Sequence, residues 1–593
     1  GNPLFVEQVL SMLIDDELLR RDDGHWVPTA DLATIPIPPT IQALLAARLD
    51  RLGDPERQVI ERASVVGKVF YQSAVSELAP EPMRPAVGGH LMTLVRKELI
   101  RPDHSDIVRE TAFRFRHILI RDAAYAGMPK ETRAQLHEAF AGWLERVAGE
   151  RSPEFDEILG YHLEQAYRYR QELGMINARA RSLAARAAEH LEAAGRRAIS
   201  RSDLSAGQVL LTRTAELLSA DDTHRLAIQL DLGWALNELG EFARGAAVIR
   251  EAKEAARAAG DPALELRADL LELWRWDTHT SWDERGEIAR QAIPFLEEHG
   301  DEIGLFFAHR LLAAMHWTQG RSGDSATELQ RVIELARRTG AGHEGFLLHW
   351  LSGIYLWGTT PAEEGIRLCN ELLAQASGLR LAEGSILVSQ AVLSAMAGRV
   401  EEARGSAARA QPILEDLGGV LPVSVIGNRL SLMYTVLGED EQVLETMREP
   451  LAVLERLGEQ SFYSTMVATH GWTLARLGRL DEAEESARKG REASPPDDWA
   501  SQIVWREAMA LVEAQRGNLE EAERLAREAV GLTEGVDYLP QMADAWSDLG
   551  FVLRLAGRKE EAADALMQSL TLREAKGDVV RAERVRQELA ALD

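Results

Sequence analysis

One pattern recurs along the chain: an apolar helix ending in Gly, two or three polar residues, then an acid-acid-Ala start to the next helix. It reads SAMAGRVEEARGSA at 394–407, ARLGRLDEAEESA at 475–487, AQRGNLEEAERLA at 514–526 and RLAGRKEEAADAL at 554–566. The turn glycines are Gly240, Gly320, Gly358, Gly398, Gly438, Gly478, Gly517 and Gly557, separated by 80, 38, 40, 40, 40, 39 and 40 residues. The gap of 80 predicts a degenerate turn near Thr280, and another near Ser202 extends the series backwards. The phase predicts about ten two-helix units between roughly 178 and 593.

Each unit has a physical logic. Gly lets the backbone leave a helix in a left-handed conformation. Acids in the next first turn complement the helix dipole. Ala follows five residues after the turn (Ala403, Ala483, Ala522, Ala562) and twelve after it (Ala252, Ala410, Ala529), and a second Gly precedes it by seven (Gly233, Gly471, Gly550). Small residues at those spacings let two helices approach closely. One hairpin cannot bury its own apolar face, so neighbours must stack into a superhelix. The pattern resembles the tetratricopeptide repeat. Its period near 40 rather than 34 predicts longer helices, as in the repeat arms of large bacterial signalling ATPases related to the maltose regulator. The expected fold is all-α: a tetratricopeptide-like superhelix preceded by a small winged-helix domain.

Before 178 the 40-residue phase is lost. An amphipathic helix is expected over 3–21, closed by Asp22-Asp23-Gly24, followed by a Pro-rich connector, HWVPTADLATIPIPPT. Pro38-Pro39-Thr40 opens the helix IQALLAARLDRL. Helices are expected from Asp54 to Gly67, over 71–79 and over 84–97, then a two-strand wing from ELIRPD and TAFRFRH, then more helix from 117.

Composition narrows the function. Apolar residues are 46% and charged residues 27%, ordinary for a globular chain and against a membrane protein. Asp plus Glu number 94 against 67 Lys plus Arg, a formal charge of −27. Such a field opposes nucleic-acid binding, and RPAVGGHLMTLVRKELI offers three basic residues against one acid. The expectation is no nucleic-acid and no membrane partner. The longest uncharged stretch, Gly345 to Ala362, has an apolar heart of 12 residues, Phe346 to Trp357, where a span needs about 20. The N-terminus has no signal-peptide pattern, and the lone cysteine, Cys369, rules out an internal disulfide. A cytoplasmic location is expected.

The phrases GNPLFVEQ, IPPTIQALLAARLDRL, ASVVGKVF and FRHILIRDAAY with LHEAFAGWL resemble the STAND signalling ATPases. The resemblance implies the end of an ATPase lid over 1–52, a winged helix over 53–130, a helical linker over 131–177 and the repeat solenoid over 178–593. It implies that Pro3, in Gly1-Asn2-Pro3, packs on adenine and that His117, in Arg116-His117-Ile118, touches the ADP phosphates. The other reading of His117 is a satisfied histidine at a strand-to-helix corner. No G-x-x-x-x-G-K-[ST] is present, so ATP hydrolysis by the family's route is not expected of this chain. No cofactor is expected in it, and ATP or ADP with Mg is expected in a longer parent, with an ATPase or nucleotide cyclase portion upstream of Gly1.

Tryptophan is concentrated between 274 and 357, which hold six of the 13. By resemblance to tetratricopeptide units, the positions facing the concave groove hold Trp234, Asn237, Arg267, Trp274, Asp277, Arg310, Trp317 and Tyr355. Aromatics beside Arg and Asp suit a protein segment or a small polar-apolar effector. The competing reading is packing. His309, His316 and His349 lack carboxylate or Cys partners at ligand spacing, so no metal is expected. Cys369 reads as a small buried apolar residue. The functional expectation is the sensor arm of a STAND-type ATPase, binding a ligand on the repeats and coupling it to nucleotide state. The alternative is a nucleotide-independent scaffold.

Overall fold

The computed structural model describes residues 41–104, 110–201, 203–220, 222–274, 281–339 and 344–592, with short pieces at 10, 14, 19–22 and 25–29. The chain divides into two compact units, 1–194 with 216–218, and 195–215 with 219–593. Pro3, Asp277 and the turn near Thr280 lie outside the described residues.

In the first unit, Leu10 and Ile14 are helical as expected, but Leu19–Asp22 is a strand. It pairs antiparallel with His25–Pro28, the start of the stretch read as a connector. The helical reading of 3–21 therefore runs too far, because the pairing partner of Leu19–Asp22 is invisible to a helical periodicity. The Asp-Gly pair at 23–24 separates the strands by the two residues that favoured hairpin loops use. Helices Ile41–Asp50, Asp54–Val66, Gln72–Leu78 and Val87–Arg96 follow. The expected strands are Ile100–Asp103 and Ala112–Phe115, joined by a third, Val69–Tyr71, which lies beside Ala112–Phe115. Three residues are too few for a period-2 signal to show. Phe70, Phe113 and Phe115 are buried and pack ring against ring at centroid distances of 6.0 and 5.2 Å. Helices Ile118–Ala126, Lys130–Ala148 and Asp156–Glu172 complete this part.

The second unit is the tetratricopeptide-like solenoid. Seven of the eight turn glycines have positive φ, from 67° at Gly320 to 86° at Gly517. Gly358 does not. It is required by close approach instead, since a Cβ there would lie 2.3 Å from Ser322 Oγ. The small-residue stripes act as expected. Ala403, Ala483, Ala522 and Ala562 are fully buried. A Cβ on Gly233 would meet Ile249 Cγ1 at 2.4 Å, and one on Gly471 would meet the Ala483 carbonyl at 2.9 Å.

The superhelix closes on itself after somewhat more than five units. Asp497 accepts from Ser281 Oγ and the Asp283 amide, each at 2.8 Å, at the start of helix Trp282–Glu298. Forty residues on, Asp537 accepts from the amides of Ser322 (2.7 Å) and Gly323 (2.9 Å), and its own amide donates to the Gly320 carbonyl at 2.8 Å. Lys576 Nζ donates to the carbonyls of Tyr355 (2.9 Å), Gly358 (2.8 Å) and Thr360 (2.6 Å), at the end of helix Glu344–Trp357. Two carboxylates thus cap helix N-termini and one ammonium caps a C-terminus, each across the seam between successive turns. The signs match the helix dipoles. Asp537→Ala is expected to cost about 1–2 kcal/mol, as for a lost N-cap. It should also speed hydrogen exchange at the amides of Ser322 and Gly323, which mass spectrometry can follow.

The stretch Val420–Leu437 is long and apolar enough to cross a membrane, yet most of it is buried inside the solenoid. Within it, Val425–Leu430 forms a π-helix.

Candidate functional site

The inner helices of the closed turn line a partly open cavity of about 210 Å³. Its walls are aromatic: Trp274, Trp317, Phe346, Trp350 and Trp357 from one side of the seam, Phe462, Trp472 and Tyr538 from the other. Tyr538 joins the two sides. Its hydroxyl donates to the Trp317 carbonyl at 2.6 Å, and its ring meets Trp317 edge-on at 5.4 Å and stacks on Trp357 at 6.1 Å.

Polar groups enter at fixed places. Asp544 accepts from Arg573 Nη2 (2.8 Å) and Arg581 Nη1 (3.0 Å), and these guanidiniums hold its carboxyl below the usual range against burial. Asp498 caps its own helix, accepting from Ser501 Oγ at 2.7 Å, and burial raises its pKa to about 6. Glu507 is 2% exposed, and its Oε1 has no hydrogen-bond partner among the described residues. Burial, then Asp548 and Asp544, push its pKa well up. Asn428 and Arg429 enter from the π-helix.

The predicted groove residues separate into three groups. Trp234, Trp274 and Arg310 come together: the fully buried guanidinium lies 3.8 Å from the Trp274 ring centroid and 5.4 Å from that of Trp234. Asn237 is fully buried in the same inner helix as Trp234. Trp274 and Trp317 line the cavity. Arg267 instead ion-pairs with Asp301, its Nε donating at 2.7 Å, and Tyr355 is half-buried with its carbonyl on Lys576. His309 Nδ1 lies 2.7 Å from Glu328 Oε2. Cys369 is buried, which pushes its thiol up to about 12. In the first unit, His117 is partly exposed where strand Ala112–Phe115 passes into helix Ile118–Ala126, in the N-cap position.

Arg429, Glu507, Trp472 and Tyr538 were not among the predicted residues. One signal did point to Arg429. It is the single charged residue between Asp416 and Glu439.

Comparison with known proteins bears on the repeats. A tetratricopeptide repeat family model matches residues 502–575. No curated protein matches the chain by sequence. Among solved structures, the Rap protein complexed with Competence and Sporulation Factor is 12% identical. That match covers 62% of this chain and 100% of that one, with a TM-score of 0.44. The APC/C hetero-tetramer Cut9-Hcn1 is 14% identical over 79% of this chain and 92% of that one, with a TM-score of 0.43. A STAND protein with a tetratricopeptide repeat sensor from Pyrococcus horikoshii is 14% identical over 100% of this chain and 70% of that one, with a TM-score of 0.25. Residues 502–575 are thus tetratricopeptide repeats, set within a tetratricopeptide-like helical array.

Proposed function

We propose that this chain is the sensor arm of a STAND-type signal-transduction ATPase. The supporting observation is the aromatic cavity inside the closed solenoid turn. Its two sides belong to repeats more than 200 residues apart, held together by Asp497, Asp537, Tyr538 and Lys576. A ligand touching both Trp317 and Tyr538 favours the closed seam over an open one. That difference in affinity is what lets a ligand shift a conformational equilibrium. The output side rests on the sequence resemblance. It makes 53–130 the winged helix and His117 the group that donates to the ADP phosphates, with Pro3 on adenine and Mg supplied with the nucleotide.

In the protein that carries the nucleotide-binding core, His117→Ala is expected to speed ADP release about tenfold or more, the effect of one lost hydrogen bond to a charged group. A stopped-flow measurement with a fluorescent ADP reads this directly. An unchanged rate returns the chain to the scaffold reading, in which a protein partner binds equally with and without nucleotide.

A further inference from the structure

We propose that the solenoid cavity is a binding site for a small apolar acid, a carboxylate on a single aromatic ring or a short hydrocarbon body, with its anionic head on Arg429. This rests on the reading of the solenoid interior as a ligand site, and adds the chemistry of the ligand.

The charges around the cavity decide the sign. Asp544 is neutralised by Arg573 and Arg581. Asp498 is held by Ser501 and, at 3.4 Å, by Ser464. His349 is kept neutral by burial and by Arg429, which hold its pKa well below the usual value. Glu507 and Arg429 remain, and they do not pair with each other. Arg429 is 7% exposed and has no carboxylate within ion-pair reach among the described residues. Its Nη1 makes two long contacts, to the His349 carbonyl and to Ser352 Oγ, both at 3.3 Å. The two orphans are not equivalent. A buried carboxyl sheds its charge by taking a proton, whereas a guanidinium stays charged across the physiological range. Burial lowers the Arg429 pKa only to about 10. Asp498 keeps its charge under the hydrogen bonds from Ser501 and Ser464, so the buried charge left without a contacting partner is that of Arg429, and burying it in that state is costly. An anion relieves that cost.

The placement of Arg429 is built rather than incidental. It sits on the π-helix Val425–Leu430, a distortion that recurs at functional sites. Its guanidinium lies against the middle of helix Glu344–Trp357, where Gly353 makes room for it. A Cβ on Gly353 would be 2.5 Å from Arg429 Nη2 and 2.8 Å from the Trp317 ring. A glycine in a helix interior costs about 1 kcal/mol relative to alanine. Two local rules of helix design are broken at one point, and both admit the same guanidinium to the same cavity.

Size and lining set the rest of the ligand. A dry apolar cavity of roughly 150 Å³ takes benzene. A volume of about 210 Å³ accommodates one ring with a short acidic side chain. Trp274, Trp317, Trp350 and Tyr538 supply ring faces and edges for such a body.

The test uses the full 593-residue chain and three matched probes: phenylacetate, phenylacetamide and phenethylamine. Binding is read by calorimetry and by quenching of tryptophan fluorescence. Phenylacetate is expected to bind at least about tenfold more tightly than either of the others, the effect of one charge-assisted contact in a desolvated site. Arg429→Met should erase the difference between acid and amide, and Glu507→Gln should leave it intact. If Arg429→Met does not fold, Gly353→Ala replaces it and should weaken the acid more than the amide. The proposal is overturned if the amine binds best, if acid and amide bind alike, if the variants change neither, or if none of the three binds at millimolar concentration. Equal binding of acid and amide, with ADP release still sensitive to His117→Ala, would leave the sensor reading standing without this one. Acid-selective binding with ADP release unchanged would do the reverse.

Discussion

Glu238→Gln is expected to destabilise the solenoid by about 3–5 kcal/mol, the cost of removing one partner of a buried ion pair. Arg310 is fully buried, and Glu238 is 2% exposed. The guanidinium lies 3.5 Å from Glu238 Oε1, which also accepts from Trp274 Nε1 at 2.9 Å. Ring faces surround the rest of it, with centroids at 3.8 Å (Trp274), 4.6 Å (Phe346) and 5.4 Å (Trp234). Burial pulls the Arg310 pKa down to about 9, and Glu238 opposes that shift. Glutamine keeps an acceptor for Trp274 and removes only the charge. The substitution therefore isolates the electrostatic loss. Cation–π contacts, worth about 2 kcal/mol when desolvated, do not replace a counter-ion. A double variant, Glu238→Met with Arg310→Met, removes both charges and should cost less than Glu238→Gln alone. Urea unfolding of the three proteins measures the order. If the single variant is no less stable than the double, the pair is not what holds these repeats.

Acidification is the second large effect, and it concerns the first unit. His137 and His162 are buried, with their Nδ1 atoms 2.8 Å apart. His137 Nε2 is 2.7 Å from the Tyr125 hydroxyl, which is 2.9 Å from that of Tyr169. One proton fits between the two Nδ1 atoms, and a second would set two N–H groups head to head. Burial, followed by the charges of Arg121 and Arg133, lowers the His137 pKa to about 3, and burial holds His162 well below its usual value. Both folded values lie below the unfolded value of about 6.5. Between them, the unfolded chain binds more protons than the folded one. The stability is fully present above pH 6.5 and is lost as the pH falls toward 3. At pH 5 the loss from His137 is about 2 kcal/mol, and His162 adds to it in the same direction. Hydrogen-exchange mass spectrometry of Lys130–Ala148 and Asp156–Glu172 at pH 7.5 and 5 should show it, after correction for intrinsic rates. His137→Gln should lessen the slope, and a flat profile in the native chain would show that the pair is protonated in the fold.

Much of the architecture is written in short-range features. The 40-residue phase, the acid-acid-Ala starts and the stripes at Gly233, Gly471 and Ala483 each concern residues within one helical hairpin. Those contacts appear where the spacing put them. The misreadings have an equally local cause. Gly358 is in phase but does not take positive φ, because its constraint is Ser322, a residue of the preceding unit. Leu19–Asp22 follows apolar residues at helical spacing, Leu10, Ile14 and Leu18, but finds a strand partner in His25–Pro28.

The candidate site divides along the same line. Counting from the turns reached Trp274 and Trp317, since both sit at repeat positions that face inward. It did not reach Tyr538, Phe462, Glu507 or Arg429. Their presence in one cavity depends on which turn of the superhelix lies against which, and that follows from small rotations summed over more than five repeats. The sequence by itself thus determined the repeat, its period and its helix pairs, because each rests on spacing within one or two units. The tertiary structure alone decided that Asp537 meets Ser322, that Tyr538 closes on Trp317, and that Arg429 stands uncompensated among aromatic rings. Those relations join residues far apart along the chain, and no local period records them.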